Sequence, residues 1–334
     1  MPELRLIDKL REYLVQAQGR EVSIKDLRSE LRIDPTSPAW NTINKLLAFD
    51  LVKDKTVKPS GRKDGIYKVI TQVSPVKVFG RERRPPIELV FPRDFDSMIE
   101  MSFASDIILR EGDLILISGR SNYGKTGLCM NFCGENIDFH PVLMGNEYTT
   151  VDREPTPRFM NRIDNMDWVE WVNGSGEDKF TLLPVYSDYA EHILKDRINI
   201  IDWVNIETGE FYLISRIMED IKRALGKGIG ILAIQKAEGV GAGRGGQFTR
   251  DFADVEILLD EYGEHEVLLT MGKVKESKQR VTGRNFAFGI EKGVKIINFR
   301  ELEKCKACGG KGYRGPNTCG NCNGMKFKDK AVEF

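Results

Sequence analysis

The chain has 334 residues, 41% of them hydrophobic and 30% charged, with 50 Lys and Arg balancing 50 Asp and Glu. This is ordinary globular composition for two or three domains, and zero net charge excludes a molecule that attracts polyanions as a whole. No apolar run reaches the roughly 20 residues that cross a bilayer, and the N-terminus lacks a signal-peptide core, so a cytoplasmic protein with no membrane partner and no structural disulfides is expected. Charge is unevenly spread: residues 1–84 hold 18 Lys and Arg against 11 Asp and Glu, residues 301–334 hold 7 against 4, and the middle holds 25 against 35. Basic ends around an acidic middle point to terminal modules that meet a polyanion.

Residues 1–72 read as three short helices and a hairpin. LRLIDKLREYLVQA places apolar residues at helical spacing. VSIKDLRSELR opens with Ser23 three residues before Asp26, a capping-box start. TSPAWNTINKLLAFDLV offers Ser37 as N-cap and Pro38 as first helical residue, with Ile43, Leu46 and Leu47 as its buried face. Two strand-like runs then flank the turn PSGRKDG. Three helices followed by a basic hairpin resemble a winged-helix domain, whose third helix enters a major groove while the wing meets phosphates. The candidate reading face is Trp40, Asn41, Asn44 and Lys45, and the wing cations are Lys53, Lys55, Lys58, Arg62, Lys63 and Lys68.

Residues 73–100 mix prolines and cations without a sustained period and read as a linker. Ile87, Leu89, Val90 and Phe91 give it an apolar side expected to dock, for instance on a neighbouring subunit. From 101 to 300, strand-like runs alternate with helices, the mark of a mostly parallel α/β sheet. The runs are DLILIS, PVLMG, INIID, GIGILAIQ, DVEILLD, EVLLTMG and NFAFGI.

The first run leads into GRSNYGKT, Gly119, Arg120, Ser121, Asn122, Tyr123, Gly124, Lys125 and Thr126. It fits G-x-x-x-x-G-K-[ST], a loop whose backbone N–H groups cradle phosphates. Lys125 is placed for the outer phosphates and Thr126 for Mg²⁺, with a helix N-terminus aimed at the same anion. Cys129 and Cys133, one turn apart on that helix, are expected as buried small side chains. INIID ends in Asp202, a second candidate for the Mg²⁺ shell, and the run beginning PVLMG leads to Glu147.

These segments in this order resemble the ATPase core of the RecA superfamily, in its DnaB-type replicative-helicase branch. The resemblance implies ATP and Mg²⁺ as cofactors, Glu147 as catalytic base, Asp202 as the metal-shell carboxylate and Gln235 as γ-phosphate sensor. It further implies that the glycine-rich loop after Gln235 lines a nucleic-acid channel, with Lys236, Arg244 and Arg250 on phosphates. A neighbouring subunit would complete the site with cations, either Lys273 and Lys275, as in recombinases, or Lys278 and Arg280, as in DnaB-type helicases.

Cys305, Cys308, Cys319 and Cys322 follow as C-x2-C-x10-C-x2-C over residues 301–334, the spacing of a structural Zn²⁺ site. The first half resembles the DnaJ-type repeat C-x-x-C-x-G-x-G, whereas the second carries Lys326 where the last glycine would stand. The expected architecture is a RecA-like core between a small winged-helix domain and a small zinc module. The expected activity is a helicase-like, DNA-dependent ATPase in replication or recombination. It would be a homo-oligomer, ring or filament, acting on single-stranded DNA, with the winged helix on duplex DNA. A filament-forming recombinase and an ATP-switched DNA-binding regulator are the alternatives.

Overall fold

The computed structural model describes residues 6–61, 64–76, 78–80, 84–204, 213–236 and 247–331. The chain divides into two compact units, Met1–Arg83 and Arg84–Phe334. No helix among the described residues is long and apolar enough to cross a membrane.

The first unit packs helices α1 (Leu6–Gln16), α2 (Ile24–Glu30) and α3 (Pro38–Lys45) on a small sheet. The capping box forms: the Asp26 amide donates to Ser23 Oγ at 3.0 Å, and the Ser23 amide reaches Asp26 Oδ2. Ser37 stands at the cap of α3 with Pro38 behind it, but its hydroxyl donates to the Asp34 carbonyl and leaves the helix amides alone. Helix α3 continues through a wide turn, Leu46–Asp50, into α4 (Leu51–Lys53). Ile43 and Leu47 are fully buried with Leu10, Leu14, Leu27, Val57 and Val69. The hairpin is β2 (Val57–Pro59) and β3 (Ile66–Val69), and the short β1 (Glu21–Ser23) pairs with β3 to give the order β1-β3-β2.

The second unit is an α/β structure built on one mixed sheet of ten strands. Its strands are β4 (Leu114–Gly119), β5 (Val142–Met144), β6 (Thr181–Leu183), β7 (Ile198–Ile201), β8 (Ile229–Gln235), β9 (Val255–Tyr262), β10 (Glu266–Val274), β11 (Asn285–Glu291), β12 (Lys295–Lys304) and, beyond the short hairpin β13 (Tyr313–Arg314) and β14 (Asn317–Thr318), β15 (Phe327–Asp329). The order is β15-β12-β11-β10-β9-β4-β8-β7-β5-β6. Pairings are parallel from β6 to β9 and antiparallel from β9 to β15.

Strand β4 sits inside the sheet and is buried along its whole length. Ile115 and Ile117 enter the core on one face, with α5 (Lys125–Glu135) and α6 (Pro157–Asp164). Leu114 and Leu116 enter the other, with α7 (Ile214–Ala224). Burial on both sides explains the continuous apolar runs. A last helix, α8 (Gln247–Phe252), precedes β9.

Residues 84–100 do not behave as the expected linker. Phe91 is buried edge-on against Phe103 and Phe132, and Val90 bonds through both backbone groups to the Asn136 side chain. The apolar side of this segment therefore docks on the chain's own core. Strand β12 runs across residue 300, and β15 returns from the cysteine module to pair with it.

Candidate functional site

The parallel register brings the candidate residues to one edge. Gly119 at the end of β4 lies opposite Gln235 at the end of β8, and Met144 of β5 lies opposite Ile201 of β7. The loops that leave these carboxyl-terminal ends carry Ser121–Thr126, Glu147 and Asp202, where ligands bind in open α/β sheets.

The chain enters α5 through Gly124, at φ +82°, where a Cβ would collide with the Ile290 side chain. The left-handed backbone there favours glycine, and the Lys125 side chain turns back over the loop, where its Nζ donates to the Arg120 carbonyl at 2.7 Å. Burial holds the Lys125 pKa below the usual lysine range. Asp202, 3% exposed, accepts the Tyr148 hydroxyl on Oδ2 at 2.6 Å and is also hydrogen-bonded to the Thr126 side chain. Burial raises its pKa despite those bonds. Its other oxygen, Oδ1, is buried with no partner among the described residues. Gln235 Nε2 donates to Ser121 Oγ at 3.0 Å, tying the end of β8 to the loop.

The loop borders a cavity of about 420 Å³, whose wall does not include Asp202. Ser121, Asn122, Gly124, Lys125, Thr126, Glu147 and Gln235 line it, joined by Arg158, Arg162 and Trp203. Glu147 is exposed there, and its carbonyl accepts the hydroxyl of Thr156, the residue that caps α6. Arg120 and Tyr123 belong to the loop but not to the cavity wall; the guanidinium stacks on the ring at 5.4 Å. Sequence reading missed Arg158 and Arg162. Their signal was present, as two cations one turn apart on the helix after Glu147. Lys125, Arg158 and Arg162 set three cationic side chains facing one cavity beside a buried carboxylate with a spare oxygen. Such a set suits a polyanion accompanied by a hard divalent cation.

Other candidates fall elsewhere. Lys236, expected on nucleic-acid phosphates, is buried, with Nζ between the two Asp260 oxygens at 2.7 and 2.5 Å and its amide on the Gly119 carbonyl. A cation so buried and paired is unavailable to a strand in solution. Arg250 is half-exposed, with its guanidinium on the Gly272 carbonyl and 3.3 Å from Glu256. Arg244 lies outside the described residues. Lys273 Nζ donates to the Arg250 and Asp251 carbonyls, and Lys275 Nζ to Asp254 at 2.9 Å. Lys278 and Arg280 are exposed and make no ion pair among the described residues.

In the first unit, Asn41 and Lys45 are exposed on α3, as are Lys53, Lys55, Lys58 and Lys68 around the hairpin. Arg62 and Lys63 lie outside the described residues. Asn44 is half-buried with its Oδ1 unpartnered among the described residues, and Trp40 packs on the core, so the outward face is narrower than expected.

The four C-terminal cysteines come together. Cys305 and Cys319 sulfurs are 4.0 Å apart, Cys308 and Cys322 sulfurs 3.7 Å, and all four lie within 4.8 Å of one another. Tetrahedral Zn–S bonds of about 2.3 Å place sulfurs about 3.8 Å apart, so the cluster is compatible with a zinc site. The Gly312 amide donates to Cys308 Sγ at 3.3 Å, as expected around a thiolate. Cys129 and Cys133 are fully buried in the core, where burial pushes both thiols up and keeps them neutral.

No protein-family model matches this chain, and neither does any curated protein. The functional reading therefore stands on the site's own geometry and on the motif order.

Proposed function

We propose that this chain is a Mg²⁺-dependent ATP hydrolase of RecA type, coupled to single-stranded DNA as a helicase-like motor. The observation that carries the reading is one cavity lined by Lys125, Thr126, Glu147 and Gln235 from three strand ends, with the buried Asp202 of a fourth strand end hydrogen-bonded to Thr126.

The loop amides and Lys125 hold the phosphates of ATP. Thr126 and Asp202, whose Oδ1 has no partner among the described residues, would hold a Mg²⁺ ion, which would supply positive charge beside the phosphates. Glu147, exposed at the cavity, would align a water and take its proton as the water oxygen bonds to the γ-phosphorus and the bond from that phosphorus to the ADP oxygen breaks, leaving ADP and phosphate. Arg158 and Arg162 face the same phosphates from α6. Gln235 shares its hydrogen bond with Ser121 in the loop, so phosphate occupancy at the loop is felt at the end of β8 and in the chain that follows. Lys278 and Arg280, exposed and without an ion pair among the described residues, are the cations a neighbouring subunit offers in trans. Lys273 and Lys275 are already engaged within their own chain. This contrast favours the helicase-like reading over the recombinase.

The first unit is read as a winged helix, with Asn41 and Lys45 toward duplex DNA. The four cysteines are read as a zinc module, in which bound Zn²⁺ supplies folding free energy. The test is steady-state ATP hydrolysis with and without single-stranded DNA, on wild type, Lys125→Ala and Glu147→Gln. The expected result is DNA-stimulated turnover in the wild type that both variants lose; unchanged turnover in both would remove the site assignment. Electron microscopy with DNA and a non-hydrolysable nucleotide separates rings from recombinase-like filaments.

A further inference from the structure

The two halves of the cysteine module are built on one pattern and differ at one place. Cys308 is followed four residues on by Gly312, and Cys322 by Lys326. Both residues adopt the left-handed conformation, at φ +87° and +69°, and both turn an amide toward the sulfur of their cysteine. At Gly312 glycine is obligatory, because a Cβ would stand 2.6 Å from the Gly324 carbonyl oxygen. At Lys326 a glycine would take the same conformation without strain, whereas a lysine takes it at a cost. What the lysine adds is a cation.

That cation has company. The Lys326 stem passes 3.2 Å from where a Gly312 Cβ would be, and the Lys304 stem lies 3.3 Å from the equivalent point at Gly310. Lys311 and Arg314 are exposed on the same loop. Between them Tyr313, on β13, leaves 57% of its surface in solvent. Its strand pairs with β14 through Tyr313 and Thr318, and the amide of Cys319 closes on the Gly312 carbonyl, so the ring stands on a hairpin tied directly to the sulfur cluster. Other cations of the module are engaged: Lys306 with Glu303, Lys330 with Glu301, and Lys328 with the Asn321 side chain. Lys304, Lys311, Arg314 and Lys326 make no ion pair among the described residues.

We propose that this hairpin is a binding site for single-stranded nucleic acid, with Tyr313 stacking on a base and the four cations on the flanking phosphates. Every base offers a π-face, so an exposed ring among cations grips a strand with little sequence preference. The cations release condensed counterions from the backbone, and the rigid hairpin limits the ordering cost. An acidic protein segment would satisfy the cations but give the ring nothing to stack on. The site needs no bound nucleotide and stands apart from the ATPase reading.

The test uses the zinc-loaded full chain without nucleotide and a fluorescent oligothymidylate of about 20 nucleotides, also prepared with iodouracil for photo-crosslinking. A crosslink at Tyr313 is expected. Tyr313→Ala should weaken binding about tenfold or more while Tyr313→Trp preserves it. Lys326→Gly relieves the backbone, so zinc content and melting temperature should hold or rise. Its affinity should nevertheless fall, and the slope of log affinity against log salt should flatten by about 0.7. Any of three results would overturn the proposal: no crosslink at Tyr313 together with unchanged affinity in Tyr313→Ala, an abasic strand of equal length bound equally well, or polyglutamate competing as well as the oligonucleotide at equal charge. The last would assign the surface to an acidic protein.

Discussion

In the proposed ATPase, Glu147 and Asp202 would divide the carboxylate work by their surroundings. Asp202 is buried, bonded through one oxygen to Tyr148 and without a partner on the other among the described residues, which suits a fixed metal-shell ligand. Glu147 is exposed at the cavity wall, which suits contact with water. Glu147→Gln should therefore bind nucleotide normally and lose about 10²- to 10⁴-fold in turnover, measured by nucleotide titration and steady-state kinetics. Arg162→Ala should lower turnover about 10²-fold with thermal stability unchanged, because the guanidinium faces the cavity and α6 is anchored by Phe159. Away from the site, Asp94 shows a carboxylate acting for the fold. Burial raises its pKa, but bonds from the Phe299 and Ser97 amides and the Ser97 hydroxyl outweigh burial and lower it overall. A depressed folded pKa contributes stability above the unfolded value of about 3.9 and loses it as pH falls through the folded value. Asp94→Asn should cost about 1–3 kcal/mol in urea unfolding at neutral pH, and the gap should narrow as pH falls below the unfolded carboxylate value.

At the scale of elements, strands buried on both faces were plain in the sequence, and the strands toward the antiparallel end of the sheet were less so. Strands β4, β5, β7 and β8 are short apolar runs, and β9 to β11 keep enough alternation to read. Strand β12 reads as KIINFRELEK, polar over its second half, because there its neighbours supply ion pairs in place of an apolar layer: Arg300 meets Glu266 and Asp329, and Glu301 meets Arg284 and Lys330. Such pairing has no period. The segment before the core failed differently, since its apolar residues show no helical or strand spacing although Phe91 is 2% exposed. Phe91→Ala should destabilise the second unit by about 3–5 kcal/mol in chemical denaturation; a value near zero would return the segment to the role of linker.

For the whole molecule, the proposed ATPase depends on contacts between copies. Glu147→Gln disables a site in cis, and the double variant Lys278→Ala/Arg280→Ala disables it in trans. Mixing the two inactive proteins should restore turnover, because some interfaces then join an intact Glu147 to an intact pair of cations. Mixtures as inactive as their parts would place those cations outside the site. The cysteine cluster makes a separate prediction: metal analysis should find one Zn²⁺ per chain, absent in Cys308→Ser/Cys322→Ser, whose β12–β15 pairing should lose amide-exchange protection.

By itself the sequence determined the glycine-bounded loop at 119–126, where along the chain the buried strands fall, the helix starts and the cysteine spacing, because each is dictated by neighbours a few residues apart. Only the tertiary structure decided which charges are spent. Lys236 and Lys278 are both lysines near proposed loops, yet one is buried on Asp260 and the other stands free of ion pairs among the described residues. The physical reason is that a charge is neutralised by partners brought in from distant strands, and no local pattern records which strands will lie side by side.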